Sequence, residues 1–359
     1  MKHNAKKILS KIPVRRKKKD VAARFDEAVQ NLPKITNDTV SEHREEVLST
    51  ARKYIYPLQH SKHRIVVIST ILFTLVVLLF FSYCGLALYR FQSNSGFIYG
   101  VTQVIPFPIA KAGPSYVSYD SYLFELRHYT HYYQTQQGIN FNSPAGKDQL
   151  NSFKHQALRE VIADAFVKQL ASRNNVSVSS QQLNNEVDLI RYQDGLSNNE
   201  KEFEDVLSQF WGWTVADFKQ ELKQQLLSQD VVAKLDTATN QRAQSVLAAL
   251  QNGADFGTLA GEYSDDTTTK SNGGQFSFLI TQTTRNLSPQ TLNTILNLKP
   301  GQISGIINIG NALEIDKVIS TTNGNIQAAH ILFNFNSINT YLQPLEAKEK
   351  IHTYIKLPA

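Results

Sequence analysis

Residues 65–88 read IVVISTILFTLVVLLFFSYCGLAL, a run without a charge or a proline and with a single glycine, Gly85. At about 1.5 Å of rise per residue, a helix of this length crosses a hydrocarbon core of roughly 30 Å with some tilt. A soluble amphipathic helix carries a polar stripe, and this stretch has none. It reads as a transmembrane helix, extended to residue 89 as a signal-anchor.

The flanks orient it. Residues 1–64 hold 16 Lys/Arg against 7 Asp/Glu, and the rest of the chain holds 21 against 24, so the net charge of +6 divides as +9 and −3. Positive flanks stay inside, which makes 1–64 a cytoplasmic basic arm and sends the chain beyond about residue 90 outside the cell membrane. A cleaved signal peptide has a shorter apolar region and a small-x-small exit. Here the exit is Gly85-Leu86-Ala87-Leu88-Tyr89-Arg90 after a long polar arm, so the anchor is expected to stay uncleaved. Phe81-Ser82-Tyr83 suits a lipoprotein site poorly, and Cys84 reads as a small membrane-embedded residue. One cysteine excludes an intrachain disulfide, a pattern that fits an exported bacterial chain. The run Arg15 to Lys19 would suit nucleic acid, but beside a membrane topology and anionic lipid explain it. The expected partner of arm and anchor is membrane lipid, and no nucleic acid is expected. Residues 1–20 read as disordered, and 21–56 as weakly helical.

Beyond the anchor, 90–114 reads as a linker, with Pro106 and Pro108 enforcing extended backbone. Residues 115–236 have helical periodicity. Tyr122, Leu126, Tyr129 and Tyr133 follow a candidate cap at Asp120. Leu158, Val161, Ile162, Ala165 and Leu170 mark a long second helix, and Leu183, Val187 and Ile190 a third after Ser179 or Ser180. Phe203, Val206, Leu207 and Phe210 make a fourth. Trp211-Gly212-Trp213 breaks the chain, and Thr214 with Asp217 forms a capping box for a fifth. Val176-x-Val178-Ser-x-x-x-Leu183, Trp213-Thr214-x-x-x-Phe218 and the hairpin-like Ile109 to Gly113 before Val117 to Tyr122 together resemble the helical chaperone region of the SurA and PrsA proteins.

Residues 237–335 change character. Ala243, Val246, Leu247 and Leu250 form a helix face closed at Gly253, and Phe256, Leu259, Ala260 and Tyr263 form another. Ile303 to Ile309 and Leu313 to Ile319 read as strands. Gly253-Ala254-Asp255-Phe256, Tyr263-Ser264-Asp265-Asp266, Gly273-Gly274 and Leu298-Lys299-Pro300-Gly301-Gln302-Ile303-Ser304, in that order, are similar to the parvulin (PpiC-type) peptidyl-prolyl isomerase domain. The fold class that follows is α+β: a transmembrane helix, an all-helical SurA-N-like domain, then a parvulin-like antiparallel sheet with helices.

Proline isomerisation makes no covalent bond. Its barrier of about 20 kcal/mol is amide resonance, lowered by gripping the proline ring while polar groups favour the twisted amide. The resemblance implies a proline pocket lined by Phe276, Leu287 and Leu292, with Phe278 beside it, and puts Asp266 where the family has Cys or Asp. Two departures stand out. The family's first strand, with its His-Ile-Leu motif, is missing before residue 241, and the family's second histidine is replaced by Glu314. Asp316 reads as solvent-facing. The missing strand reappears as Ile326-Gln-Ala-Ala-His330-Ile-Leu-Phe333 after the hairpin signal Asn323-Gly324. Either the domain is circularly permuted, bringing His330 beside Glu314 and Asp266 as catalytic candidates, or 326–359 begins a truncated second repeat. Residues 336–359 read as a helical tail.

His128 and His131 read as a solvated helix face, and no metal or cofactor motif is present. The resemblance implies an extracytoplasmic, membrane-anchored isomerase or foldase acting on unfolded or proline-containing exported polypeptides. The alternatives are a non-catalytic holdase with a degenerate site and a scaffold whose arm recruits a cytoplasmic partner. The sequence carries no signal of oligomeric state.

Overall fold

A computed structural model describes residues 18–31, 35–55, 58–193, 195, 196 and 199–358. The expected disorder of the basic arm falls, up to residue 17, outside the described residues. The chain divides into two compact units, Met1–Phe81 and Ser82–Ala359.

The first unit contains α1 (Lys18–Gln30), α2 (Asn37–Ile55) and most of α3 (Leu58–Gly85). Arg64–Arg90 is long and apolar enough to cross a membrane, and its most apolar 18 residues have a mean hydropathy of 2.8. Ile68, Leu72, Leu75 and Leu79 point outward along it, as a lipid-facing helix requires.

In the second unit α3 widens into a π-helical turn over Leu86–Arg90. Cys84 and Leu88 are buried there. The expected linker proves to be structured. Ser95 caps α4 (Gly96–Val104), its Oγ accepting from the Ile98 amide, and β1 (Pro108–Ala112) follows. Ile98 and Thr102 repeat at helical spacing and are buried, while the prolines that favour extended backbone open a strand instead. β1 turns at Gly113 (φ +55°) into β2 (Ser115–Ser118).

Five helices follow: α5 (Tyr119–Thr135), α6 (Pro144–Arg173), α7 (Ser180–Gln193), α8 (Glu200–Trp211) and α9 (Val215–Leu235). Ser118, not Asp120, caps α5. α8 stops at Gly212 in the left-handed region (φ +68°), and α9 opens with the Thr214–Asp217 capping box. Tyr119, Tyr122 and Leu126 of α5 meet Phe153, Val161 and Phe166 of α6 in the largest core.

The remaining domain is α+β. It holds α10 (Thr237–Gln251), α11 (Phe256–Tyr263), α12 (Pro289–Asn297), β3 (Ile307–Asn308), β4 (Ala312–Thr322) and β5 (Asn325–Asn334). The strand expected from Ile303 shortens to β3, and Ile303 itself makes only an isolated bridge to Lys317. The sheet order is β3-β4-β5, antiparallel throughout. β4 and β5 join through Asn323 and Gly324, both at positive φ, the backbone that a tight right-twisted hairpin demands. β5 is interior to its domain: β4 pairs with one edge, and Gln275 and Ile280 bridge to Ala329 and Ile326 on the other. α10 and α11 cover one apolar cluster with Ile315, Ile331 and Phe333, and α12 covers another with Ile280 and Val318.

The tail is not simply helical. After α13 (Asn339–Lys348), β6 (Ile351–Thr353) pairs antiparallel with β1, giving a sheet of order β2-β1-β6 back in the helical region. β1 has one edge left open by β2, and β6 fills it. Leu342 and Ile355 join the core of α5 and α6. Residues 326–359 therefore do not start a second repeat: β5 completes the first domain and the tail returns to the helical one.

Candidate functional site

The site forms where three local structures meet. The first is the loop after α11. Ser264 Oγ accepts from the Leu332 amide (3.1 Å), and the Asp265 amide donates to the Leu332 carbonyl (2.7 Å). Asp265 Oδ2 accepts from the Asn334 amide (2.8 Å) and pairs with Arg242. These bonds stitch the loop to β5 and aim Asp266 at His330. Asp266 Oδ1 accepts from the amide (2.9 Å) and hydroxyl (2.7 Å) of Thr268, and its Oδ2 accepts from the Thr269 hydroxyl (2.6 Å).

The second is the double-glycine bend. Gly273 and Gly274 have φ of +63° and +80°, and a Cβ on Gly274 would lie 2.2 Å from the His330 carbonyl oxygen. Only glycine lets the bend approach β5 so closely. The His330 amide donates to the Gly274 carbonyl (2.8 Å).

The third is the β4–β5 hairpin. Its register sets Asp316 opposite His330 and Glu314 opposite Leu332, so Glu314 is the diagonal neighbour of the His330 side chain. His330 Nδ1 bonds Glu314 Oε1 and Nε2 lies 2.8 Å from Asp266 Oδ2, with Thr269 Oγ1 at 3.0 Å. Thr291, at the start of α12, donates its hydroxyl to the other oxygen of Glu314. With a carboxylate at each ring nitrogen, His330 donates from both as an imidazolium. Burial opposes that charge, but the hydrogen bonds and negative charge of Glu314, and then of Asp266, outweigh it and raise the His330 pKa. Burial likewise pushes the Asp266 carboxyl up. The hydroxyls of Thr269 and Thr268, the Thr268 amide and His330 prevail and hold it well below the usual carboxylate range.

The polar chain abuts an apolar patch. The Phe276 ring packs at a tilt against the His330 ring, centroids 4.4 Å apart, and against Phe278 at 5.5 Å. Phe276 and Leu292 are buried in one cluster, and Phe278 and Leu287 pack half-buried against it. The structure thus brings together all seven residues singled out from sequence: Asp266, Glu314 and His330 in one hydrogen-bonded chain, and Phe276, Phe278, Leu287 and Leu292 in one cluster beside it.

Asp316 departs from expectation. It is fully buried, at 0% exposure, and neither carboxylate oxygen has a hydrogen-bond partner. Burial and then the charge of Glu314 push its pKa well above the ordinary 3.8, so the group is kept neutral. Sequence reading also misses Thr268, Thr269 and Thr291. The only signal for the first two is the hydroxyl run Thr267-Thr268-Thr269 directly after an aspartate.

His128 is not on a solvated face either. It stacks on Trp213 (ring centroids 4.5 Å apart) and packs at a tilt against Trp211 (4.9 Å). Burial, with His131 beside it, lowers its pKa to about 4. Among the described residues, no group of three or more His, Cys, Asp or Glu side chains is placed to hold a metal ion.

A SurA-like N-terminal domain matches residues 58–232, and a PPIC-type PPIase domain matches residues 226–320. The chain thus carries a SurA-like N-terminal domain followed by a PPIC-type, parvulin-type isomerase domain. The parvulin match ends at residue 320, before β5, so the strand that carries His330 lies outside it. A crystal structure of peptidylprolyl isomerase (PrsA) from Bacillus anthracis is similar over 53% of this chain and 88% of that one, at 19% identity and a TM-score of 0.18. Among curated proteins no sequence matches this chain.

Proposed function

We propose that this parvulin-type protein is a membrane-anchored foldase, held by α3 with its N-terminus in the cytoplasm, that isomerises X-Pro bonds of exported polypeptides outside the membrane. The observation that carries the isomerase reading is His330, charged between Asp266 and Glu314 and resting on Phe276. No bond is made or broken in the reaction, so the site needs only a grip and a fixed field. Phe278 and Leu287, over Phe276 and Leu292, hold the proline ring. Asp266, whose side chain stays 17% exposed, sets a fixed negative charge at the edge of the patch, where the amide loses its resonance and its dipole changes. The membrane reading is supported by the apolar length of Arg64–Arg90 and by the basic excess before it.

A holdase reading is favoured by a different observation. Glu314 stands in the family's second histidine position, and Phe276 and Leu292 are only 6% and 8% exposed. The full chain in nanodiscs, added to a proline-limited refolding reaction, separates the two. Isomerase activity speeds the slow phase, which takes tens of seconds or more without a catalyst, and His330→Ala abolishes the acceleration. Unchanged refolding with suppressed aggregation would leave only the holdase.

A further inference from the structure

α4 presents an uncharged face that packing within the unit does not explain. Its sequence is GFIYGVTQV. Ile98 and Thr102 enter the core, while Phe97, Gly100 and Val104, at i, i+3 and i+7, share the opposite, exposed side. Phe97 is 61% exposed and Val104 82%. Single exposed apolar residues are ordinary. This pair is not isolated, because the Phe97 ring lies 6.4 Å from that of Tyr83 on the last turns of α3, and Leu86 and Phe91 are exposed nearby in sequence.

Depth follows from that contact. Tyr83 precedes Arg90, the last residue of the candidate span, by about 10 Å of helix rise. A side chain touching Tyr83 therefore sits below the level of Arg90. Arg90 and Lys356 line a cavity with Tyr89, Phe91 and Tyr354, the aromatic and basic set found where helices leave a bilayer.

We propose that α4 is an interfacial helix, with its Phe97–Gly100–Val104 face buried in the acyl–headgroup boundary of the leaflet from which α3 emerges and with Arg90 and Lys356 on anionic lipid phosphates. The inference rests on the membrane-anchored reading above. The occupant is lipid because the face meets the end of the anchor and carries no charge, and because Arg90 and Lys356 line a cavity at that same end of the anchor.

The test uses the full chain in nanodiscs containing phosphatidylglycerol. The sole native thiol, Cys84, is buried, so spin labels go on single cysteines at Phe97→Cys and Val104→Cys. Leu72→Cys in the anchor and the exposed Gln251→Cys on α10 serve as references. The expected result is that labels at 97 and 104 relax strongly with oxygen and weakly with a water-soluble nickel chelate, between the two references and nearer to 72. Labels at 97 and 104 as chelate-accessible as 251, with 72 still in lipid, overturn the inference and leave the anchor standing. A label at 72 in water overturns the anchor reading and this inference together. Dipolar broadening at 97 that vanishes on dilution with unlabelled protein assigns the face to a second copy and also overturns it.

Discussion

His330 is flanked by two carboxylates, and each substitution around it has a distinct expected effect. Replacing it with alanine leaves Glu314 buried with only Thr291 to answer its charge. We expect a loss of about 3–5 kcal/mol in stability by urea unfolding, together with loss of isomerase activity. Folding raises the His330 pKa above its ordinary 6.5. The stability this contributes is complete below about pH 6.5 and disappears as pH rises through the folded value. Asp266 runs the other way, because its folded pKa is depressed. Its contribution is complete above the ordinary 3.8 and is lost as pH falls through the folded value. Asp316, whose pKa is raised, costs stability as pH rises above its ordinary 3.8, because the unfolded carboxyl ionises while the buried one holds its proton. Asp316→Val removes that loss and two unpartnered oxygens. It should raise stability by about 1–3 kcal/mol at neutral pH, with a gain that shrinks as pH falls toward the ordinary 3.8; a lower urea midpoint for this variant would show that Asp316 has an unseen partner. Asp266, Glu314 and His330 are legible as motif positions. Asp316 is not, since a charged residue in a strand is ordinarily turned to water. Here helices cover one face of the sheet and the Asp266 loop and α12 cover the other, so neither face of β4 is wet over its first half.

Among the elements, β5 and the bend that leans on it decide whether a site exists. Gly274→Ala sets a Cβ against the His330 carbonyl and forces a left-handed residue out of glycine. We expect more than about 1 kcal/mol of destabilisation and a displaced His330, read as loss of refolding acceleration at temperatures where circular dichroism still reports a folded chain. The Asn323–Gly324 hairpin makes β5 legible in the sequence, because few other residue pairs favour that turn. The segment 90–114 misleads for the opposite reason. Its two prolines outweigh the Ser95 cap and the short apolar period of α4, which is too brief to register as a helix by pattern alone.

For the whole molecule, the helical domain is discontinuous in sequence. It takes α4 to α9 from before the parvulin domain and α13 and β6 from after it. The Arg173–Glu349 ion pair (2.8 Å) and the Lys350 carbonyl, accepting from the Gly113 amide (3.2 Å), fasten the return. Asp236 Oδ2 also accepts from the Asn336 amide (2.8 Å), joining the two crossings between domains. A chain ending at residue 335 should therefore loosen β1 while sparing β4 and β5. Hydrogen exchange at 109–112 should rise by about tenfold or more, equivalent to about 1.4 kcal/mol of local stability. Uniform exchange across both domains would show that the tail matters to neither in particular. No periodicity marks this return: three residues of β6 are too few to announce a strand, and what places them is the vacant edge of β1.

This routing orders the protein's own biosynthesis. A ribosome delivers Asp266, the apolar patch and Glu314 before it delivers His330, and delivers Thr353 after all of them. Until that last portion arrives, the nascent chain has a sheet without its inner strand and a hairpin without its third neighbour. The enzyme's histidine and the clasp on its helical half lie 23 residues apart, so the site and the helical domain are completed in quick succession.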